Sequence, residues 1–134
     1  MAETVVVKEA LTREMIEAGA ELTRQLDAAQ LGVRAALWLY LPEYNTWRLF
    51  VAVPKVNKDG PRQTYKKIQS VLAKTPAHQL RINLSEISLL DTHDPFVTHL
   101  RSLVKTGPDI SGTRVSDSFA NGHSIDEAYV YRSA

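Results

Sequence analysis

Met15, Gly19, Leu22, Leu26 and Ala29 recur at offsets of 4, 3, 4 and 3, the spacing that brings side chains onto one face of an α-helix. The pattern predicts a helix from Arg13 to Leu31. Thr12 is placed to cap its first turn, Leu11 and Ile16 are spaced as a hydrophobic staple, and Glu14 and Glu17 suit the positive end of the helix dipole. Gly32 suits a left-handed stop. Gly19 lies inside the apolar stripe, where a missing Cβ lets a neighbouring element approach closely.

The hydrophobic period then falls to two. Strands are predicted from Val33 to Leu41 and from Trp47 to Val53, joined by the five-residue loop Pro42-Glu43-Tyr44-Asn45-Thr46. Alternation assigns Val33, Ala35, Leu37, Leu39 and Leu41, with Trp47, Leu49, Val51 and Val53, to the core face. The opposite face receives Ala36, Trp38, Tyr40, Phe50 and Ala52 with Arg34 and Arg48. Such a face is far from a solvated surface and needs a cover.

Asp59-Gly60-Pro61 opens a second helix with Tyr65, Ile68 and Leu72 inward and Pro76 beyond its end. Leu80, Ile82 and Leu84 alternate, and Ile87 and Leu89 alternate in the opposite phase, which predicts a third strand with a bulge or break near Ser85-Glu86. Asp94-Pro95 starts a third helix with Phe96, Leu100, Leu103 and Val104 inside, and Lys105, Gly107 and Pro108 stop it. Asn121-Gly122 predicts the turn of a final hairpin, Ile110 to Phe119 and Ile125 to Arg132. The expected fold is α+β: a mainly antiparallel five-stranded sheet with three helices, in the order αββαβαββ. One domain spans residues 1–134, with residues 1–10 as a flexible or loosely packed segment. Leu22, Leu26, Leu37, Leu39, Leu49, Val51, Ile68, Leu72, Leu100 and Leu103 are expected to form one core.

Composition narrows the chemistry. A chain of 134 residues is long enough to bury a core without staples. Its lack of cysteine excludes a disulfide framework, thiolate zinc sites and a cysteine nucleophile. No apolar run approaches the ~20 residues that cross a bilayer, and acid stands near the N-terminus where a signal peptide carries base. A cytoplasmic location without a membrane partner is expected. The net charge is +1, but it is unevenly spread. Between Lys55 and Arg81 seven cations face one acid, a net +6, leaving nine cations and fourteen acids, −5, for the rest.

Three groups of residues carry candidate chemistry. Arg34, Trp38, Tyr40, Arg48 and Phe50 have the composition of an interface core, and they support the leading expectation of a non-catalytic protein-interaction or self-associating module, most simply a two-fold homodimer. Asp91, His93, Asp94 and His99 combine two carboxylates with two imidazoles near the start of a helix, the donor types of a metal-dependent hydrolase. Asp94 before Pro95 is equally a helix cap and Asp91 a turn residue, and no recognised metal spacing is present. Lys55, Lys58, Arg62, Lys66 and Lys67 are the anion-binding candidates, suited to an accessory nucleic-acid-binding role with salt-sensitive, sequence-blind affinity. His123 sits in the Asn121-Gly122 turn and reads as an exposed loop histidine. No nucleophile elbow, phosphate-binding glycine loop or cofactor signature occurs, and no cofactor is expected.

Overall fold

The first helix, α1 (Arg13–Ala28), starts where its cap dictates: the Thr12 side chain accepts the Met15 N–H at 3.1 Å. Its end comes earlier than Gly32. Leu31 N–H reaches the Leu26 carbonyl at 3.2 Å and Gln30 N–H the Asp27 carbonyl at 2.9 Å, the paired bonds of a Schellman motif. Gln30, with φ 59°, takes the left-handed position two residues before the glycine. Leu31 is thereby folded back into the same core as Leu26.

This computed structural model describes residues 7–54, 60–75, 82–120 and 123–134. After α1 come β1 (Ala35–Leu41), β2 (Thr46–Ala52), α2 (Pro61–Lys74), a 3₁₀ turn (Leu84–Glu86), β3 (Ile87–Leu90), α3 (Pro95–Leu103), β4 (Thr113–Ala120) and β5 (His123–Ser133). The fold is α+β, and the sheet runs β3-β2-β1-β5-β4. It is mixed but mostly antiparallel: β3 runs parallel to β2, while β1 is antiparallel to β2 and β5, and β4 to β5. The parallel pair is the one joined through a helix, because parallel neighbours need a crossover. The phase change near Ser85-Glu86 is the 3₁₀ turn, after which the strand begins. Asn121 and Gly122 lie outside the described residues, although the pairing Ala120↔His123 brackets them as expected of a hairpin.

One residue of loop length decides which face is which. Leu41 pairs with Thr46, so the connection is the four residues 42–45, with Asn45 at φ 47°. A five-residue loop would set odd positions of β1 against odd positions of β2. The shorter loop sets odd against even: Trp38↔Leu49, Leu37↔Phe50 and Tyr40↔Trp47. Because side chains alternate, this single step exchanges the faces of one strand relative to the other.

The sheet consequently separates two cores, not one. On one face α1 and α2 supply Leu22, Leu26 and Ile68, which pack with Ala36, Trp38, Tyr40, Trp47, Leu49, Val51 and Tyr131. On the other, Leu100 of α3 packs with Leu37, Leu39, Ile125, Ala128 and Val130, beside a small cluster of Ala35, Ala52 and Val97. Leu72 is half-buried. Leu103, at the last position of α3, is 43% exposed and not part of the core.

Candidate functional site

Gly19 is the contact point between α1 and the sheet. In a helix the Cα–Cβ bond tilts toward the N-terminus, so a side chain at 19 would cover the carbonyls of the preceding turn. With none there, Trp38 Nε1 donates to the Met15 carbonyl at 3.0 Å, and the Tyr131 hydroxyl donates to the Ile16 carbonyl at 2.6 Å. The indole N–H is also 3.0 Å from the Tyr131 oxygen. A Cβ built on Gly19 would lie 2.7 Å from the indole nitrogen and closer still to the Tyr131 hydroxyl. The close approach expected from the apolar stripe is present, and its occupants are the two largest fully buried side chains of the sheet. Burial raises the Tyr131 phenol pKa well above its ordinary value, against the opposing hydrogen bond from Trp38.

The five residues expected to form one interface are divided by the register. Trp38 and Tyr40 lie on the α1 side of the sheet, at 0% and 7% exposure; Trp38 is covered by the chain's own first helix, and the Tyr40 ring by Lys8 and Trp47. Phe50 lies on the other face, its ring 6.2 Å from that of Phe96. Arg48, also on that face, donates to the Ser88 hydroxyl. Arg34 precedes β1 and is exposed, lining an opening of about 490 Å³ with Asp27, Gly32 and Arg132. Beside it, Arg132 is held by both Asp27 carboxylate oxygens at 2.8 Å and by the Val33 carbonyl at 3.2 Å.

The Asp/His segment serves the start of α3. Asp94 Oδ1 accepts the Phe96 N–H at 2.8 Å as an N-cap, and Asp91 Oδ1 accepts the His93 N–H at 3.0 Å as a turn. The His93 side chain is 82% exposed and 3.7 Å from Asp91, whereas His99 is 3% exposed on α3. Among the described residues no three His, Asp or Glu side chains converge as a metal site would require. Of the basic group, Lys55 and Lys58 lie outside the described residues. Arg62, Lys66 and Lys67 are exposed on α2, which carries four cations and no acid.

Two depressions on the α1 side of the sheet involve residues that no motif flags. The larger, about 590 Å³, runs between α1 and the sheet. Ile16, Glu17, Ala20, Glu21 and Arg24 form one wall, Ile110 and Ser111 the other, and Tyr129 and Tyr131 the floor. The two rings meet edge to face at 5.3 Å and 70°, and the Arg114 guanidinium stands 5.4 Å from the Tyr129 centroid. Arg24 and Gln25 both donate to the Glu21 carboxylate at 2.8 Å, and these bonds, that from Gln25 foremost, lower its pKa. The period-two spacing of Tyr129 and Tyr131 in the last strand was the available signal. Their shared face emerges only with α1 in place.

The second, about 330 Å³, lies under residues 8–11 beside Trp47, Arg114 and Glu127. The N-terminal segment is tied down here. Asn45 Nδ2 donates to the Val7 carbonyl at 2.9 Å, Glu9 N–H donates to Asn45 Oδ1 at 2.9 Å, and Trp47 Nε1 donates to the Glu9 carbonyl at 2.8 Å. Lys8 Nζ is 2.7 Å from Glu127, 3.1 Å from Asp126 and 4.3 Å from the Tyr40 ring centroid. Glu127, through its hydrogen bond, is the main cause of the raised Lys8 pKa. Of residues 1–10, expected as a flexible or loosely packed segment, 1–6 lie outside the described residues; 7–10 are exposed, and 7–9 carry these bonds.

No helix among the described residues is long and apolar enough to cross a membrane. Comparison of the chain with family models, with characterised proteins and with solved structures finds no match.

Proposed function

We propose that this protein is a non-catalytic interaction module that docks a partner polypeptide in the groove between α1 and β5. The groove itself carries the reading. It is about 590 Å³ in volume, and tyrosine and arginine, which line it, are residue types enriched where proteins meet. From Ile16 to Arg24 the helical wall advances eight residues, about 12 Å, the length of roughly four extended residues. Charged groups on α1 and the mixed wall at Ile110 and Ser111 supply a polar rim around an aromatic floor.

A photoreactive residue placed at Ser111 tests this in the cell of origin. A discrete cross-linked adduct, lost when Tyr129 is changed to Ala or Glu21 to Arg, is the expected result. The same adduct formed equally from Gln63 on α2, or none from Ser111, overturns the reading. Light scattering of the purified chain shows whether a second copy is the partner. The four cations of α2 favour a second reading, polyanion binding, which predicts affinity for duplex DNA that falls steeply between 50 and 200 mM salt, by about a hundredfold if each neutralises one phosphate.

A further inference from the structure

The contacts that hold residues 7–9 have the form of peptide recognition. Asn45 takes a backbone carbonyl and a backbone N–H two residues apart, at Val7 and Glu9, and Trp47 donates to the Glu9 carbonyl. These groups belong to any polypeptide. One side chain is read: Lys8, by Asp126, Glu127 and the face of Tyr40. Val7 on one side of it is 76% exposed and Glu9 on the other is exposed; of the three side chains, only that of Lys8 is held by ion pairs among the described residues.

The residues of the receiving surface also contact one another, apart from the segment they hold. Asn45 is the left-handed residue of the β1–β2 turn, and its Oδ1 also accepts the Tyr40 hydroxyl at 2.6 Å, which orients the amide. Tyr40 and Trp47 are packed at 5.3 Å. Asp126 and Glu127 come from β5, and Arg114, 3.6 Å from Glu127, is the other cation at this acidic pair. An aromatic face with two carboxylates is a receptor for an ammonium group, and Asn45 and Trp47 set the backbone that carries it.

We propose that this surface is a recognition site for an extended, lysine-bearing polypeptide segment, filled in the present structure by the chain's own residues 7–9. The Lys8 side chain is 44% exposed, so a competing lysine reaches the same carboxylates from solvent. The tethered segment competes at the millimolar effective concentration typical of a short linker. It thereby holds the site closed against weak ligands and yields to a stronger or more abundant one. The site shares no lining residue with the α1–β5 groove, although its Arg114 also stands over Tyr129 of the groove floor.

The full-length Lys8→Glu variant opens the site by setting like charges against each other at Asp126 and Glu127. Calorimetric titration with the capped peptide of residues 7–11, Val-Lys-Glu-Ala-Leu, is expected to show at least tenfold tighter binding to this variant than to the wild type. The Trp47 indole N–H resonance should shift on binding. A peptide with norleucine for lysine is expected to bind at least tenfold more weakly. Adding Asn45→Gly, which keeps the left-handed turn and removes the amide, is expected to abolish the difference between variant and wild type. A Lys8→Glu protein with a native circular-dichroism spectrum that binds neither peptide, or binds both equally, overturns the proposal.

Discussion

On the α1 face the sheet presents Trp38, Tyr40, Trp47 and Tyr131, whereas on the α3 face it presents Leu37, Leu39, Ile125, Ala128 and Val130. Both sets are buried, but they fix their partners differently. The aliphatic face holds α3 by removing apolar area from water, which has no direction. The aromatic face adds polar handles that must each find a partner when buried. Trp38 and Tyr131 find theirs on the carbonyls of Met15 and Ile16, Trp47 on Glu9, and Tyr40 on Asn45. Those bonds set the height of α1 along the sheet and fasten residues 7–9, and both candidate docking surfaces lie on this face.

The comparison breaks most severely if Trp38 is cut to Ala, with an expected loss of about 4 kcal/mol in urea unfolding. Leu100→Ala on the opposite face is expected to cost about 3 kcal/mol. Conservative replacements sharpen the contrast. Leu100→Met should restore most of the loss, within ~1.5 kcal/mol of wild type, because only volume is needed there. Trp38→Phe should remain deficient by a further ~1–2 kcal/mol, since the Tyr131 oxygen and the Met15 carbonyl lose a donor. Equal recovery on both faces would refute the directional account.

Gly19→Ala is expected to destabilise by ~1–3 kcal/mol, although the same change in an exposed helix interior gains up to ~1 kcal/mol. Thermal melting checks the sign. A stabilised variant would mean that α1 is free to lift from Trp38 and Tyr131.

Tyr131 gives the contrast a pH signature. Its folded pKa is raised above the ordinary value near 10, so the native state keeps the proton after the unfolded chain has lost it. The stability contributed by this group is therefore full below about pH 10 and falls as pH rises further. Tyr131→Phe is expected to flatten that alkaline decline while costing about 1 kcal/mol at neutral pH. An unchanged alkaline limb in urea unfolding would assign it to other groups.

The smallest effect belongs to α3. Asp94→Ala should cost ~1 kcal/mol and Asp94→Ser restore most of it, as befits a cap. Equal loss in both variants, measured by chemical denaturation, would give the Asp94 carboxylate a role beyond the Phe96 N–H.

Much of the fold was legible because local rules decide local structure. Thr12 and Asp94 cap the helices they precede, Pro61 opens α2, and the apolar phase change near Ser85 marks a true break. Gly19 announced a close contact without naming the contact. The Asp91 to His99 segment carried donor types suited to metal chemistry. In the fold Asp91 and Asp94 bind backbone N–H groups, and the two histidines differ sharply in exposure.

By itself the sequence determined the type and order of the elements, their caps and the α+β class, since these rest on spacing within a few residues. Only the tertiary structure decided which side chains share a face. With a side-chain period of two, shortening the β1–β2 loop from five residues to four sends Phe50 to α3 and leaves Trp38 under α1. The two proposed docking surfaces were equally beyond local pattern, because their parts are distant in the chain: Lys8 meets Asp126 across 118 positions, and the groove joins Ile16 to Tyr131. Such contacts follow from how elements pack, a property of the folded chain that no short window of sequence contains.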